Sequence, residues 1–406
     1  MRFCMVTTYY PPFHFGGDAI FVQALARALT AEGHLVEVVH CTDAFRLRQK
    51  DTPDESGLND GITVHHLRSP LGFLSPLITQ QTGQPGLKVR ELRAIFDRDF
   101  DVVNFHNISL VGGPGVLRMS RARVNLYTLH EHWLLCPAHI FWKNLKQACD
   151  APQCIRCCFR SGIPLQLWRY TGLIERSLKN VDAILSPSEY TAERHRAIRP
   201  IPPIHVLPTF SRLIPDVPSK APPPPKRPCF LYVGRMTASK GVAILLEEFA
   251  GLRDYDLLMV GDGDLLPGLQ RQYARYSHIQ FLGALSHHQL ASVYQKAMAL
   301  VLPSLAPEVF PLTILEAFAH GTPAIVHNAG GSREAIDKTG GGLVYYSREE
   351  LHHALIMLAK DPRLRETLGQ RARAGYVQFY SQATYVECYL NLIQAIAKEK
   401  GVTLCK

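Results

Sequence analysis

Two glutamates eight residues apart stand in Pro307-Glu308-Val309-Phe310-Pro311-Leu312-Thr313-Ile314-Leu315-Glu316-Ala317. One falls in a loop after an apolar strand, the other on the helix that follows. Eight residues are a little over two helical turns, so both carboxylates can face one ligand from different depths. Ionised carboxylates only accept hydrogen bonds, which suits them to the vicinal hydroxyls of a ribose or a hexose. Two surface glutamates at coincidental spacing are the plain alternative. The apolar loop around Glu308 and the stop at Gly321-Thr322-Pro323 argue against it.

Upstream, Gly234-Arg235-Met236-Thr237-Ala238-Ser239-Lys240-Gly241 joins a strand to a helix beginning at Val242. Arginine forks onto phosphate oxygens, lysine adds a point charge, and a helix amino terminus adds its dipole. The segment can hold a diphosphate; a turn with solvated cations is the bland reading. A third cluster is metallic in character. Cys136, Cys149, Cys154, Cys157 and Cys158 crowd into 23 residues. Cys154-x-x-Cys157 is a tight half-site for tetrahedral thiolate coordination, and Cys136 with Cys149 would complete four ligands. Structural zinc is expected there; an iron–sulfur cluster uses the same ligands. Cys158 is the expected spare, and His139 a substitute ligand.

The elements that must position these residues read as short apolar strands alternating with amphipathic helices, the pattern of doubly wound parallel sheets. Strands are expected at Phe3–Thr8, Leu35–Cys41, Val102–Phe105, Val124–Leu129 and Ala183–Ser186. The scheme repeats at Phe230–Val233, Asp256–Val260, Ile279–Phe281, Ala299–Leu302 and Pro323–Val326. A proline-rich stretch at 218–228 separates the halves as a stiff linker. The expected division is a Rossmann-like domain over 1–217 with a Cys-rich insertion at 136–158, and a second α/β domain over 229–380. A terminal helix within 381–406 is expected to pack back on the first domain. The ends of both sheets should face a shared cleft, where α/β domains bind ligands.

Composition agrees with a globular chain of 406 residues, 47% hydrophobic and 19% charged. A net charge of +9, shared by both halves, suits anionic substrates or an anionic membrane surface and is too diffuse for nucleic acid. No apolar run is long enough for a bilayer-spanning helix or a signal-peptide core, so a cytoplasmic protein is expected. Between residues 136 and 180, seven basic side chains are interleaved with Phe141, Trp142, Phe159, Trp168 and Tyr170. That mixture predicts peripheral contact with an anionic membrane, its inner face by location; a solvated face over a small core is the alternative.

Val233-Gly234-Arg235 with Lys240-Gly241, Gly261-Asp262-Gly263, and the glutamate pair followed by Ala317, Gly321, Pro323, Gly330-Gly331 and Glu334 resemble the retaining nucleotide-sugar glycosyltransferases of family 4. Gly16-Gly17 before a helix, then Gly33-His34 with Val36 and Val38, extend the resemblance to the first half. It implies the GT-B architecture, two Rossmann-like domains facing a cleft, and a part in polysaccharide biosynthesis. Carried over residue by residue, it implies that Arg235 and Lys240 bind the donor diphosphate and that Glu316 holds the ribose hydroxyls. It also places Glu308 beside the transferred sugar. Gly17, Gly234, Gly263 and the backbone around Phe310, Leu312 and Thr313 would lie near the phosphates. His130, in Tyr127-Thr128-Leu129-His130, would face the donor sugar, and His106 would stand at the acceptor edge. The catalytic set is then Glu308, His130, Arg235 and Lys240. The donor would be a UDP- or GDP-sugar and the acceptor a hydroxyl on a small molecule, a growing glycan or a glycolipid, with no catalytic divalent ion.

The chain departs from the family where Leu207-Pro208-Thr209-Phe210 replaces an Asn-Gly pair. It departs again at Pro311, which replaces a frequent glycine and has no N–H to offer a phosphate. Three competitors share parts of this pattern. A sugar-nucleotide epimerase would turn over without an acceptor. A phosphorylase would need a lysine-bound pyridoxal phosphate that nothing marks. A non-catalytic zinc-containing binding protein would be indifferent to Glu308→Ala.

Overall fold

The computed structural model describes residues 1–49, 53, 61–198, 201–211 and 225–405. They divide into two compact units: Met1–His139 with Cys154–Thr209 and Gln382–Lys406, and Ile140–Gln153 with Phe210–Ser381. Of the expected linker at 218–228, residues 218–224 lie outside the described residues.

The first five strands are β1 (Arg2–Val6), β2 (Leu35–Cys41), β3 (Thr63–Leu67), β4 (Val102–Phe105) and β5 (Val124–Thr128). A short antiparallel hairpin follows, β6 (Trp142–Lys143) with β7 (Gln147–Ala148), which groups with the second unit. The chain then returns for β8 (Ala183–Ser186) and β9 (Ile204–Val206). The first unit's sheet has the order β3-β2-β1-β4-β5-β8-β9, every pair parallel.

The second unit is built from β10 (Cys229–Val233), β11 (Asp256–Val260), β12 (Ile279–Gly283), β13 (Ala297–Leu302), β14 (Ala324–His327) and β15 (Gly342–Tyr345). Its order, β12-β11-β10-β13-β14-β15, repeats the winding of the first. A parallel sheet covered by helices must bury both faces. In β10, Phe230 and Tyr232 enter one core while Cys229, Leu231 and Val233 enter the other. That double burial is why the strands read as nearly continuous apolar runs.

Each sheet winds outward from its first strand, then crosses back to the other side of it. The reversal falls between β1 and β4 in the first unit and between β10 and β13 in the second. Loops leaving the carboxyl ends of two such neighbours diverge onto opposite faces of the sheet, which opens the crevice where α/β folds take ligands. The terminal helix Gln382–Glu399 belongs to the first unit. Its Tyr389 hydroxyl accepts from Asn104 Nδ2 at 3.1 Å, and Tyr385 meets Phe21 edge-on at 5.4 Å. Among the described residues no helix is long and apolar enough to cross a membrane.

Candidate active site

In the second unit the switch point is flanked by exactly the two loops that carry the cationic and acidic motifs. After β10 the chain runs through Gly234-Arg235-Met236-Thr237 into a single 3-10 turn, Ala238–Lys240, and then the helix Val242–Phe249. Gly241 joins turn to helix in the left-handed region at φ 66°. A β-carbon there would run into the carbonyl of Pro303, at the end of β13, so only glycine lets the two loops approach this closely. The loop after β13 is closed in a similar way by Gly330, at φ 71°, whose Cα packs on the Glu308 backbone. Glu308 N–H donates to Ala329 O at 3.2 Å and Gly331 N–H to Glu308 O at 2.7 Å.

This scaffold brings together side chains 68 residues apart. Lys240 Nζ donates to Glu308 Oε1 at 2.5 Å, and the Ser304 hydroxyl donates to the same oxygen. Both partners are largely withdrawn from solvent, with side chains 27% and 16% exposed. Burial is the largest influence on Glu308 and opposes its ionisation. The Lys240 ammonium, its hydrogen bond, the Ser304 hydroxyl and the Arg235 charge together outweigh it, so the carboxyl titrates below the usual glutamate range. Glu308 is a permanent anion at neutral pH, and it fixes where the Lys240 ammonium sits.

Glu316 lies on the helix Leu312–Ala319, whose N-cap is Pro311. Leu312 and Thr313 open that helix, where first-turn amides lack intrahelical acceptors. Phe310, just before them, is buried against Tyr380 at 5.6 Å. One Glu316 oxygen accepts from the buried Tyr294 hydroxyl at 2.7 Å. Burial, the Glu316 charge and that hydrogen bond hold the phenol well above its ordinary range, so Tyr294 stays a donor. Arg235 is exposed, and its carbonyl accepts from Tyr232 Oη at 2.7 Å. The loop of Gly234 and Met236 is stitched to the end of β11 through Val260 and Asp262 carbonyls at 3.0 and 2.7 Å. Gly263 donates its amide to the Asp262 carboxylate at 2.7 Å, so that amide is engaged within the protein.

The first unit places its own residues at the matching point. The helix Gly17–Ala31 follows β1, and Asn107, after β4, donates to Asp18 Oδ2 at 3.1 Å across the switch point. Phe105 of β4 pairs in register with Tyr127 of β5. His106 and His130 therefore leave adjacent parallel strands at nearly the same level, with Nδ1 and Nε2 2.9 Å apart. Burial lowers the pKa of both; the neighbouring His130 lowers His106 further, while Asp18 and Glu131 partly restore His130. Both rings are neutral at pH 7. His132 is fully buried and stacks on His195 at 6.1 Å, away from this pair's hydrogen bond.

Ser304, Tyr294 and Asn107 were not singled out from sequence. Ser304 sits two residues beyond β13, and that position is the one signal that could have found it.

The expected metal centre requires correction. Among the described residues, no three His, Cys, Asp or Glu side chains gather where they could hold a metal ion. Cys136, Cys149, Cys154 and Cys157 are in no disulfide, and no three of them gather into one site. The hairpin β6–β7 intervenes between the first two, and Cys149 groups with the second unit while the others group with the first. Cys154, Cys157 and Cys158 share one short helix, Cys154–Arg160; burial raises the Cys154 and Cys158 thiols, and Cys149 Sγ donates to Ala151 O at 3.6 Å. Spacing alone had suggested a tetrahedron, but the path of the chain between the thiols decides. Phe141, Trp142 and Trp168 likewise prove to be buried, so three of the five aromatics expected at a lipid interface are core residues.

Comparison with known proteins agrees with this fold. The family described as Glycosyltransferase Family 4 matches residues 15–210, and Glycosyl transferases group 1 matches residues 214–375. The chain is 31% identical over 155 residues to the alpha-D-kanosaminyltransferase of Streptomyces kanamyceticus, a stretch covering 36% of this chain and 40% of that enzyme. Sucrose-phosphate synthase from Thermosynechococcus elongatus superposes with a TM-score of 0.74 at 21% identity, covering 98% of this chain and 99% of that one. Anabaena HepE in complex with UDP-glucose superposes with a TM-score of 0.66 at 16% identity, covering 99% of both.

Proposed function

The chain belongs to the group 1, family 4 glycosyltransferases with the GT-B architecture, and from that premise we propose how its own residues move a sugar from a nucleotide donor to a hydroxyl acceptor with retention. The observation that carries the reading is the Lys240–Glu308 pair at the β10/β13 switch point.

Arg235 and Lys240 take the donor diphosphate, aided by the amides of Leu312 and Thr313. Gly234, Gly263 and Phe310 lie near it, the two glycine amides being engaged within the protein. Glu316, oriented by Tyr294, takes the ribose hydroxyls. Glu308 lies beside the transferred sugar, where a fixed anion favours positive charge developing at the anomeric carbon. The family resemblance assigns His130 to the sugar and Gly17 to a phosphate. In the reaction the bond from C1 to the phosphate oxygen breaks and its electron pair leaves with the diphosphate. The acceptor oxygen bonds to C1 on the same face, and its proton passes to the leaving phosphate oxygen. Cations already in place meet the leaving charge, which is electrostatic preorganisation.

The donor is a UDP- or GDP-sugar; HepE's complex with UDP-glucose supports the first. The acceptor is a hydroxyl on a small molecule, a growing glycan or a glycolipid; a lipid-linked acceptor would put the enzyme at the cytoplasmic membrane face as a peripheral protein. Unlike an epimerase, it requires that acceptor for turnover.

A panel of nucleotide sugars read by thermal shift tests the donor reading. A matched donor at a hundred times its dissociation constant stabilises the fold by ~2.7 kcal/mol, roughly 5–10 °C for a unit of this size. Glu316→Ala should raise the donor KM roughly tenfold, as expected for losing about 1.4 kcal/mol of charge-assisted hydrogen bonding, while kcat changes less. A panel in which no nucleotide sugar shifts the melting temperature would overturn the assignment.

A further inference from the structure

Large apolar side chains exposed on a folded chain are ordinary when scattered, and mark an interface when gathered. In the first unit six of them fall on three elements that are bonded to one another. The helix Leu74–Thr82 and the residue before it expose Phe73 and Leu77, one helical turn apart. The helix Cys154–Arg160 exposes Ile155 and Phe159 at the same spacing, and the 3-10 turn Leu167–Tyr170 exposes both its ends. These six side chains are between 42% and 73% exposed. The three elements are tied together. Trp168 Nε1 donates to Gln80 O at 2.8 Å and Gln80 Nε2 to Pro164 O at 3.0 Å. Ile163 N–H donates to Cys158 O at 2.9 Å, fixing the helix Cys154–Arg160 to the same loop.

The charge around this face has one sign. No aspartate or glutamate occurs from residue 62 to residue 90 or from 154 to 174. Arg156 and Arg160 neighbour Ile155 and Phe159 on their helix and are themselves exposed. Beside Phe73, Arg46 and Arg68 line a surface hollow of about 180 Å³. Asp43, which also lines it, is engaged by the Ser69 amide at 2.8 Å.

We propose that this face, formed by the helix Leu74–Thr82, the helix Cys154–Arg160 and the turn Leu167–Tyr170, docks the protein on an anionic lipid surface. The apolar side chains enter the interfacial layer and the arginines meet lipid phosphates, each half insufficient alone. A basic protein partner would find no carboxylate on these three segments. A bilayer supplies apolar depth and negative charge over the whole area at once. The inference deepens the peripheral placement proposed above and stands apart from the transfer reaction.

The test is co-sedimentation of the full chain with vesicles, without donor or acceptor, so that its failure leaves the transferase reading untouched. Vesicles of phosphatidylcholine with 30% phosphatidylglycerol, about a third anionic lipid, should retain the protein at 0.1 M salt, and pure phosphatidylcholine should not. Phe73→Ser with Phe159→Ser should lower binding about tenfold and leave melting temperature unchanged, both side chains being exposed. Arg156→Gln with Arg160→Gln should do the same if the first pair folds poorly. Equal binding to neutral and anionic vesicles would overturn the proposal. So would undiminished binding by both variant pairs, or a dimer in sedimentation equilibrium that Phe159→Ser dissolves.

Discussion

Lys240→Ala and Glu308→Gln are each expected to lower turnover about 10²-fold or more, because both groups act on charge that develops only in the transition state. The lysine meets the leaving diphosphate and the glutamate the electron-poor sugar. They also hold each other in place, so the double variant should lose much less than the product of the single losses. Stability should change little. Removing the lysine strips one partner from a carboxylate that keeps the Ser304 hydroxyl, a cost of about 1 kcal/mol for a group with some access to water.

A pH profile separates this from a merely structural effect. Glu308 has a lowered pKa in the folded chain, so its contribution is fully present above the ordinary glutamate value, about 4.3, and is lost as pH falls through the lowered one. Without Lys240 the lowering influence shrinks while burial remains. The acid limb of kcat in Lys240→Ala should therefore move to higher pH. Full activity in either purified single variant, or an acid limb that does not move, would remove the pair from the reaction.

What the sequence could and could not disclose here has a physical basis. Strands buried on both faces, such as β4 and β11, announce themselves as apolar runs between turn residues. Three strands of the parallel sheets escape that reading, as does the short β6–β7 hairpin. β3 is Thr-Val-His-His-Leu with a half-exposed face, β9 is three residues hemmed by prolines, and β15 opens on glycine. The Arg235–Lys240 loop and the two glutamates were legible as separate motifs. Their meeting was not, because a contact across 68 residues depends on strand order, and order follows from how the sheet winds. Histidines 24 residues apart pose the same problem, solved by the register of β4 on β5. The cysteine cluster shows the converse. Local density is visible in sequence, but coordination depends on directions of side chains, which the β6–β7 hairpin and one short helix set otherwise.

His130→Ala is expected to lower turnover by ~10², the scale of one lost polar group that contacts the reacting sugar. The proposed role is that of a neutral ring. Burial lowers its pKa, and His106 occupies one nitrogen at 2.9 Å, so the remaining nitrogen is the one free to address the sugar. Two consequences separate this from acid–base catalysis by an ordinary histidine. Activity of the unmutated enzyme should be flat through pH 6.5, where an unperturbed imidazole would titrate. Stability should instead decline below that pH, since the unfolded chain takes up protons that the buried pair refuses. His106→Ala supplies the control. It leaves His130 in place with its ring no longer held, so kcat should fall while the donor KM stays near its original value. A limb in kcat near pH 6.5 that His130→Ala abolishes would instead make the ring a proton carrier.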